Sequence, residues 1–299
     1  MSDSIAILLP CLNEADSIGA VVDAFRRAAP DAAIHVIDNG STDGTGTIAR
    51  AHGAMVIVEP RRGKGRALRT AFRVVDADIF VLADGDGQAE ADRIDALLAP
   101  LRAGDADMVV GSRRLGSYPR SRRINRLGNA AFTLLLRLLL RARLTDVLSG
   151  YRAVRAEMVR TLPLTSSRFE IEAELTIRAV QAGYRVVDVP ITAAPRAAGN
   201  APRLRVVSDG LRILASIVVF VTNGRPLRFL AVPGIVLLGA AALVAVAGRD
   251  VPGGLAVAVA VLAGIVGLGL VVLGLALLPT ARSLRTGDDV PEPVPGANS

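Results

Sequence analysis

Short apolar runs alternate with longer alanine-rich, amphipathic stretches along the first part of the chain. The runs are IAILL at 5–9, IHVI at 34–37, MVIV at 55–58, IFVLA at 79–83 and MVV at 108–110. Each is strand-length and rich in Val and Ile, and helix-length segments such as 17–29 and 91–103 lie between them. Strands alternating with helices predict an α/β domain, a mostly parallel sheet with helices on both faces. In such a sheet ligands bind beyond the carboxyl ends of the strands. The polar residues that follow each run are therefore the ones to inspect.

The pattern changes completely near the end of the chain. Residues 229–248 carry no charge, nor do residues 251–279, and only Arg249-Asp250 separates them. At about 1.5 Å rise per residue either stretch spans a hydrocarbon core of roughly 30 Å. Arg225 and Arg228 precede the first span, and Arg282 and Arg285 follow the second. The positive-inside rule then predicts a hairpin with both flanks in the cytoplasm. The amino terminus, MSDSIAILLP, lacks the basic region of a secretory signal, so the α/β part is expected on the cytoplasmic side of the cell membrane. The stretch 204–222 places Arg205 and Arg212 among apolar residues and predicts a helix lying in the membrane interface. The expected organisation is an α/β domain over 1–200, a juxtamembrane helix over 201–226, two spans over 227–281 and a disordered cytoplasmic tail over 282–299, rich in Pro, Gly and Asp.

Composition sharpens this picture at three points. A mean hydropathy of +0.43 is high for a soluble protein, in keeping with the two spans. The single cysteine, Cys11, and only two histidines exclude an internal disulfide and a zinc cage of Cys and His, so any metal should have oxygen ligands. The net charge of +7 comes almost wholly from arginine, while aromatic residues make up 3% of the chain and tryptophan is absent. That balance suits phosphate groups and anionic lipid, and argues against nucleic acid, whose bases need aromatic platforms.

The polar segments after the runs form a consistent set: PCLNE at 10–14, DNGSTDG at 38–44, RRGKG at 61–65 and DGDGQ at 84–88. If the fourth strand continues to Asp86, Asp84 and Asp86 point the same way, about 6 to 7 Å apart. Their repulsion at an effective dielectric of 20 is about 2 to 3 kcal/mol. A divalent cation held with substrate phosphates would remove it. A solvated acidic turn is the competing reading, since Asp and Gly are ordinary turn residues. Gly44-Thr45-Gly46-Thr47-Ile48-Ala49 fits a GxGxxA dinucleotide fingerprint with Glu59 at the end of the next strand, but six residues separate the strand from the first glycine. Gly63-Lys64-Gly65 lacks the spacing of a P-loop, which leaves a basic loop facing a diphosphate or a solvated loop.

LLPCLNEAD, IDNGSTDGT, RGKGRAL, ADGDGQ and GSR follow in order over the first 113 residues. With DVLSGYR at 146–152, FEIEAE at 169–174 and DVPI at 188–191, they resemble the family 2 glycosyltransferases of GT-A fold, most closely the dolichol-phosphate mannose synthase branch and its bacterial polyprenyl-phosphate counterparts. The resemblance implies inverting transfer of one sugar from a nucleotide-sugar donor to a polyprenyl phosphate at the membrane surface, assisted by Mg2+ or Mn2+. The absence of tryptophan excludes the QxxRW motif of processive polysaccharide synthases.

Carried over residue by residue, the resemblance implies a metal site of Asp84, Asp86 and Gln88. Pro10, Asn13, Glu14, Asp38, Lys64 and Asp84 would bind the donor. Arg113, Arg122, Arg123, Arg126, Ser149 and Arg196 would hold the acceptor phosphate, with Asp86, Arg113 and Arg126 as the catalytic set. The segment 120–126 fits in more than one register, which leaves open whether Arg122 or Arg123 points inward. Arg196 to Arg203 departs from the family pattern by placing Pro-Arg where Ser-Lys is usual. In FEIEAE, helical spacing puts Glu170 and Glu174 on one face and Glu172 elsewhere. Each could orient the acceptor or bind sugar, and a solvated helix end is an equal alternative. The expected partners are donor, lipid phosphate and bilayer, with self-association through the spans as a further possibility. The alternatives from other classes are a non-catalytic nucleotide-sugar-binding or scaffold protein and a membrane-tethered NAD-dependent oxidoreductase.

Overall fold

The structure, a computed structural model, describes residues 3–113, 115, 133–134, 136–137, 140, 142, 144–192, 206–222, 225–247 and 255–286. The chain divides into two compact units, Met1–Leu214 and Ala215–Ser299.

The first unit is built on a seven-stranded sheet of order β3-β2-β1-β4-β6-β5-β7. Its strands are β1 (Ile5–Cys11), β2 (Ala33–Asp38), β3 (Met55–Val58), β4 (Ile79–Leu82), β5 (Met108–Ser112), β6 (Arg152–Arg155) and β7 (Val186–Pro190). All run parallel except β6, which is antiparallel to both β4 and β5. The five predicted strands are present, and β6 and β7 add to them.

Strand alternation supplies both faces of the core. In β1, Ile7 and Leu9 join Val81 of β4 on one face, covered by Ile18, Val22 and Phe25 of helix α1 (Ala15–Ala28). Ala6 and Leu8 join Phe80 and Leu82 on the other, under Leu68 and Phe72 of the helix after β3. The central strand β4 is therefore apolar at every position, as a strand covered on both sides must be. Each fully buried Leu, Ile or Phe here contributes roughly 1.5–3 kcal/mol.

The carboxyl ends of β1, β2, β3, β4, β5 and β7 face one rim, and the antiparallel β6 begins there. Pro10 shows how the rim is tolerated within the sheet. It lies beyond the last β1–β4 pair, Leu8↔Leu82, so its missing N–H leaves no gap in that ladder.

In the second unit two helices are long and apolar enough to cross a membrane, Leu227–Val246 and Ala256–Arg282, against the 229–248 and 251–279 expected. Gly234 and Gly267 sit at their contact: a Cβ on Gly234 would lie 2.6 Å from the Gly267 carbonyl oxygen. Most of their large apolar side chains, Val236 and Leu243 among them, are exposed. The helix Val206–Val221 is present where the interfacial segment was expected. The tail beyond residue 286 lies outside the described residues.

Candidate active site

The site is assembled from the loops at the carboxyl rim. After β1, Asn13 takes a left-handed conformation (φ 51°). Its Oδ1 accepts the Thr42 N–H at 2.8 Å, and its own N–H donates to Ser41 Oγ at 3.0 Å. The Glu14 N–H donates to Thr45 Oγ1 at 2.8 Å and the Ala15 N–H to Asp43 Oδ2 at 3.0 Å, which locks the start of α1 to the loop after β2. Asp38, at the end of β2, accepts the Ser41 N–H at 2.9 Å. Asn13, Glu14 and Asp38 thus share one knot of hydrogen bonds.

The GxGxxA segment belongs to the same knot. Helix α2 (Thr45–Ala51) starts behind Gly44, and a Cβ on Gly46 would lie 2.7 Å from Asp38 Oδ2. That glycine makes room for a carboxylate. Glu59 is likewise committed: it accepts from Arg61 Nε at 3.0 Å and from Thr70 Oγ1 at 2.6 Å. Burial alone would raise its pKa, but these hydrogen bonds and the Arg61 charge lower it to about 2.

Asn39 was not anticipated from the sequence, although it follows a strand directly. Buried at the end of β2, it donates through Nδ2 to the Glu59 carbonyl at 2.9 Å and the Arg61 carbonyl at 2.7 Å, and its Oδ1 accepts the Gly63 N–H at 2.5 Å. It therefore fixes the whole 59–63 loop.

That loop delivers Lys64 as the first residue of α3 (Lys64–Val74). The glycines on either side are packing devices. A Cβ on Gly63 would lie 2.1 Å from the Ser167 carbonyl oxygen, and one on Gly65 would lie 2.3 Å from that of Ser166. The opposing 165–166 turn is held by the fully buried Glu174, which accepts the Ser166 N–H at 2.7 Å and pairs with Arg178 at 2.8 Å. Lys64 is consequently not solvated, as one of the two sequence readings had it. Its Nζ lies 2.5 Å from Asp84 Oδ1 and 2.6 Å from Glu172 Oε1. Burial would lower the Lys64 pKa, and the two carboxylates more than reverse this, holding it above its usual value.

The acidic motif also differs from expectation. β4 stops at Leu82, and residues 84–87 form a turn, with Gly87 at φ 77°. The alternate-residue geometry does not apply, because the chain leaves the sheet at Ala83. Asp84 is half-exposed and paired with Lys64, whereas Asp86 is buried and accepts the Gln88 N–H at 3.1 Å. The turn is anchored from below. Ser17 Oγ of α1 donates to the Gly85 carbonyl at 2.7 Å, and a Cβ on Gly85 would lie 2.4 Å from Cys11 Sγ. Asp84 and Asp86 therefore sit on one braced turn, one half-exposed and one sheltered.

At the end of β5, Arg113 is gripped by the fully buried Asp146, at 2.7 Å through Nε and 2.9 Å through Nη2. This bidentate pair fixes the guanidinium plane. Ser149 is buried, and its carbonyl accepts from Arg152 Nε at 2.6 Å. Arg152, wholly buried, also donates to the Val147 carbonyl and to Thr176 Oγ1, both at 2.7 Å, so it holds the 147–149 turn to the helix Ile171–Gln181. Arg120, Arg122, Arg123, Arg126, Arg196 and Arg203 lie outside the described residues.

FEIEAE is not a solvated helix end. Glu170, Glu172 and Glu174 are all buried. Helical spacing separated Glu172 from its neighbours correctly, and it is Glu172 that reaches the site.

Among the described residues, no group of three or more His, Cys, Asp and Glu could hold a metal alone. A cation at Asp84, Asp86 and Gln88 would need further oxygens from a substrate, as Mg2+ and Mn2+ commonly take from phosphates. The all-oxygen donor set fits such an ion.

Residues 6–162 match the model of glycosyl transferase family 2. The chain belongs to that family. Among relatives of this glycosyltransferase, Glycosyltransferase AglJ of Haloferax volcanii is 37% identical over 210 residues, covering 70% of this chain and 69% of its own. An undecaprenyl-phosphate mannosyltransferase of Micrococcus luteus is 31% identical, covering 64% of this chain and 84% of its own. Glucosyl-3-phosphoglycerate synthase from Mycobacterium tuberculosis, solved in complex with Mn2+ and uridine-diphosphate-glucose, superimposes with a TM-score of 0.63. It shares 26% identity over 74% of this chain and 80% of that one. Family membership removes the oxidoreductase alternative, in agreement with the roles found for Gly46 and Glu59.

Proposed function

We propose that this glycosyltransferase moves a single sugar from a nucleotide-sugar donor to a polyprenyl phosphate at the cytoplasmic face of the cell membrane. The observation that carries the reading is that the unit holding the braced Asp84–Asp86 turn shares its chain with two membrane-length helices. A lipid-linked acceptor explains why a sugar transferase needs them. The relative named as an undecaprenyl-phosphate mannosyltransferase supports the same acceptor chemistry.

In this reading Pro10, Asn13, Glu14 and Asp38 receive the nucleoside, and Asp84, Asp86 and Gln88 would hold Mg2+ or Mn2+. The ion supplies charge neutralisation for the departing diphosphate. Arg113, oriented by Asp146, clamps the acceptor phosphate together with Ser149 and arginines of 120–126 and 196. The acceptor phosphate is already ionised near neutral pH, so displacement needs no strong general base. Arg225, Arg228, Arg282 and Arg285 keep both flanks of the hairpin on the cytoplasmic side.

The test uses the full chain in detergent, a panel of nucleotide sugars, and undecaprenyl phosphate beside undecaprenol. Nucleoside diphosphate release that requires the phosphate supports the reading. Transfer to the free alcohol at equal rate, or donor binding without transfer to any lipid phosphate, overturns it.

A further inference from the structure

Lys64 is the only lysine in a chain with 35 basic residues, and it is placed between two carboxylates. A compact ammonium can sit between two oxygens where a planar guanidinium would demand a fork. Its side chain is 12% exposed and that of Glu172 is 8% exposed, while Asp84 is 44% exposed. Glu172 therefore holds the lysine from the buried side and Asp84 from the open side. Gly150 completes the fit, since a Cβ there would lie 2.8 Å from Asp84 Oδ2 and 2.9 Å from Lys64 Nζ. The second oxygen of Glu172, Oε2, is buried without a hydrogen-bond partner, so this carboxylate is kept in place by the lysine and not by a web of its own bonds.

We propose that Glu172 is a positioning residue: it shares the Lys64 ammonium with Asp84 and so sets how readily Asp84 accepts a divalent cation. Lys64 is a counter-cation of Asp84 on its buried side, and a divalent ion binding Asp84 competes with it. With Glu172 present, Lys64 keeps a partner when Asp84 turns to the ion. Without the Glu172 charge, Asp84 becomes the lysine's only anionic partner among these three residues and competes less well for the ion. Removing Lys64 has the opposite sign. The inference rests on the metal reading of Asp84 and Asp86 given above.

Mn2+ binding to the full chain in detergent, read by electron paramagnetic resonance with UDP or GDP present, tests it apart from activity. E172Q should weaken Mn2+ binding about tenfold and K64M should strengthen it about tenfold. E172D, which keeps the charge, should stay within about threefold of wild type, and it covers the case in which E172Q folds poorly by thermal melting. Transfer lost in E172Q should return partly at raised Mn2+, which a merely structural defect would not do. If D86A abolishes Mn2+ binding while E172Q and K64M leave it unchanged, the positioning role is wrong and the metal site stands. If no Mn2+ binding depends on Asp86, the metal reading falls and this inference falls with it.

Discussion

Gly65→Ala isolates the claim that the RGKG loop is a packing junction that aims Lys64. Gly65 lies in the first turn of α3 and has no positive φ, so alanine would ordinarily stabilise the helix by about 0.5–1 kcal/mol. The added Cβ would instead lie 2.3 Å from the Ser166 carbonyl oxygen and 2.8 Å from its carbon, against the 3.4 Å at which ordinary contact begins. The obstacle is backbone, held by Glu174, so the start of α3 must move by about 1 Å. Overpacking of this kind costs about 1–3 kcal/mol. The sign of the stability change is therefore inverted relative to helix propensity. A 1 Å displacement of a positioned group can cost about 100-fold in rate. Thermal melting and kcat/KM for transfer would read both effects. Gly104→Ala is the control: Gly104 has φ 73° and nothing within 4 Å of a Cβ. It lies between α4 (Ile94–Arg102) and β5, at the opposite rim. It should cost about 1 kcal/mol of stability and leave transfer unchanged. A G65A protein as stable and as active as wild type would refute the junction.

Further outcomes follow from the same loops. Asn39→Ala strands two carbonyls and one N–H of the 59–63 loop, so it should cost about 2–3 kcal/mol in urea unfolding and raise the donor KM. Glu59 is held at about 2 against an ordinary 4.5, so its contribution to stability is full above about pH 4.5 and is lost as pH falls toward 2. Glu59→Gln should lower stability by about 1–3 kcal/mol at neutral pH and flatten the acid limb of the stability profile, and an unchanged limb would contradict this. Asp146→Asn frees the Arg113 fork and should raise the lipid-phosphate KM more than the donor KM, by about tenfold, as measured by varying each substrate in turn.

The sheet was legible wherever apolar runs were uninterrupted. β6, whose sequence is RAVR, was not, because charged residues bound its two apolar ones. Only the fold shows that Arg152 is buried by hydrogen bonds to two carbonyls and a hydroxyl. Extending β4 to Asp86 failed for a local reason, since Gly85 turns the chain where Cys11 leaves no room for a Cβ. The polar residues after each strand were legible as a set, because parallel topology sends them to one rim. The pairing of Lys64 with Glu172 was not, as the two are 108 positions apart and the helix Ile171–Gln181 is buried on nearly every face. Amphipathic spacing cannot choose a functional face on a helix that has no solvated one.

The central claim is that the Asp84–Asp86 turn carries cation-dependent transfer of one sugar to a lipid phosphate. Mass analysis of the lipid after incubation with donor, undecaprenyl phosphate and Mn2+ tests it most directly. The account predicts a single sugar added by the wild type, and none with D86A or with excess chelator. An unchanged lipid product with Asp86→Ala, or in chelator, would contradict it.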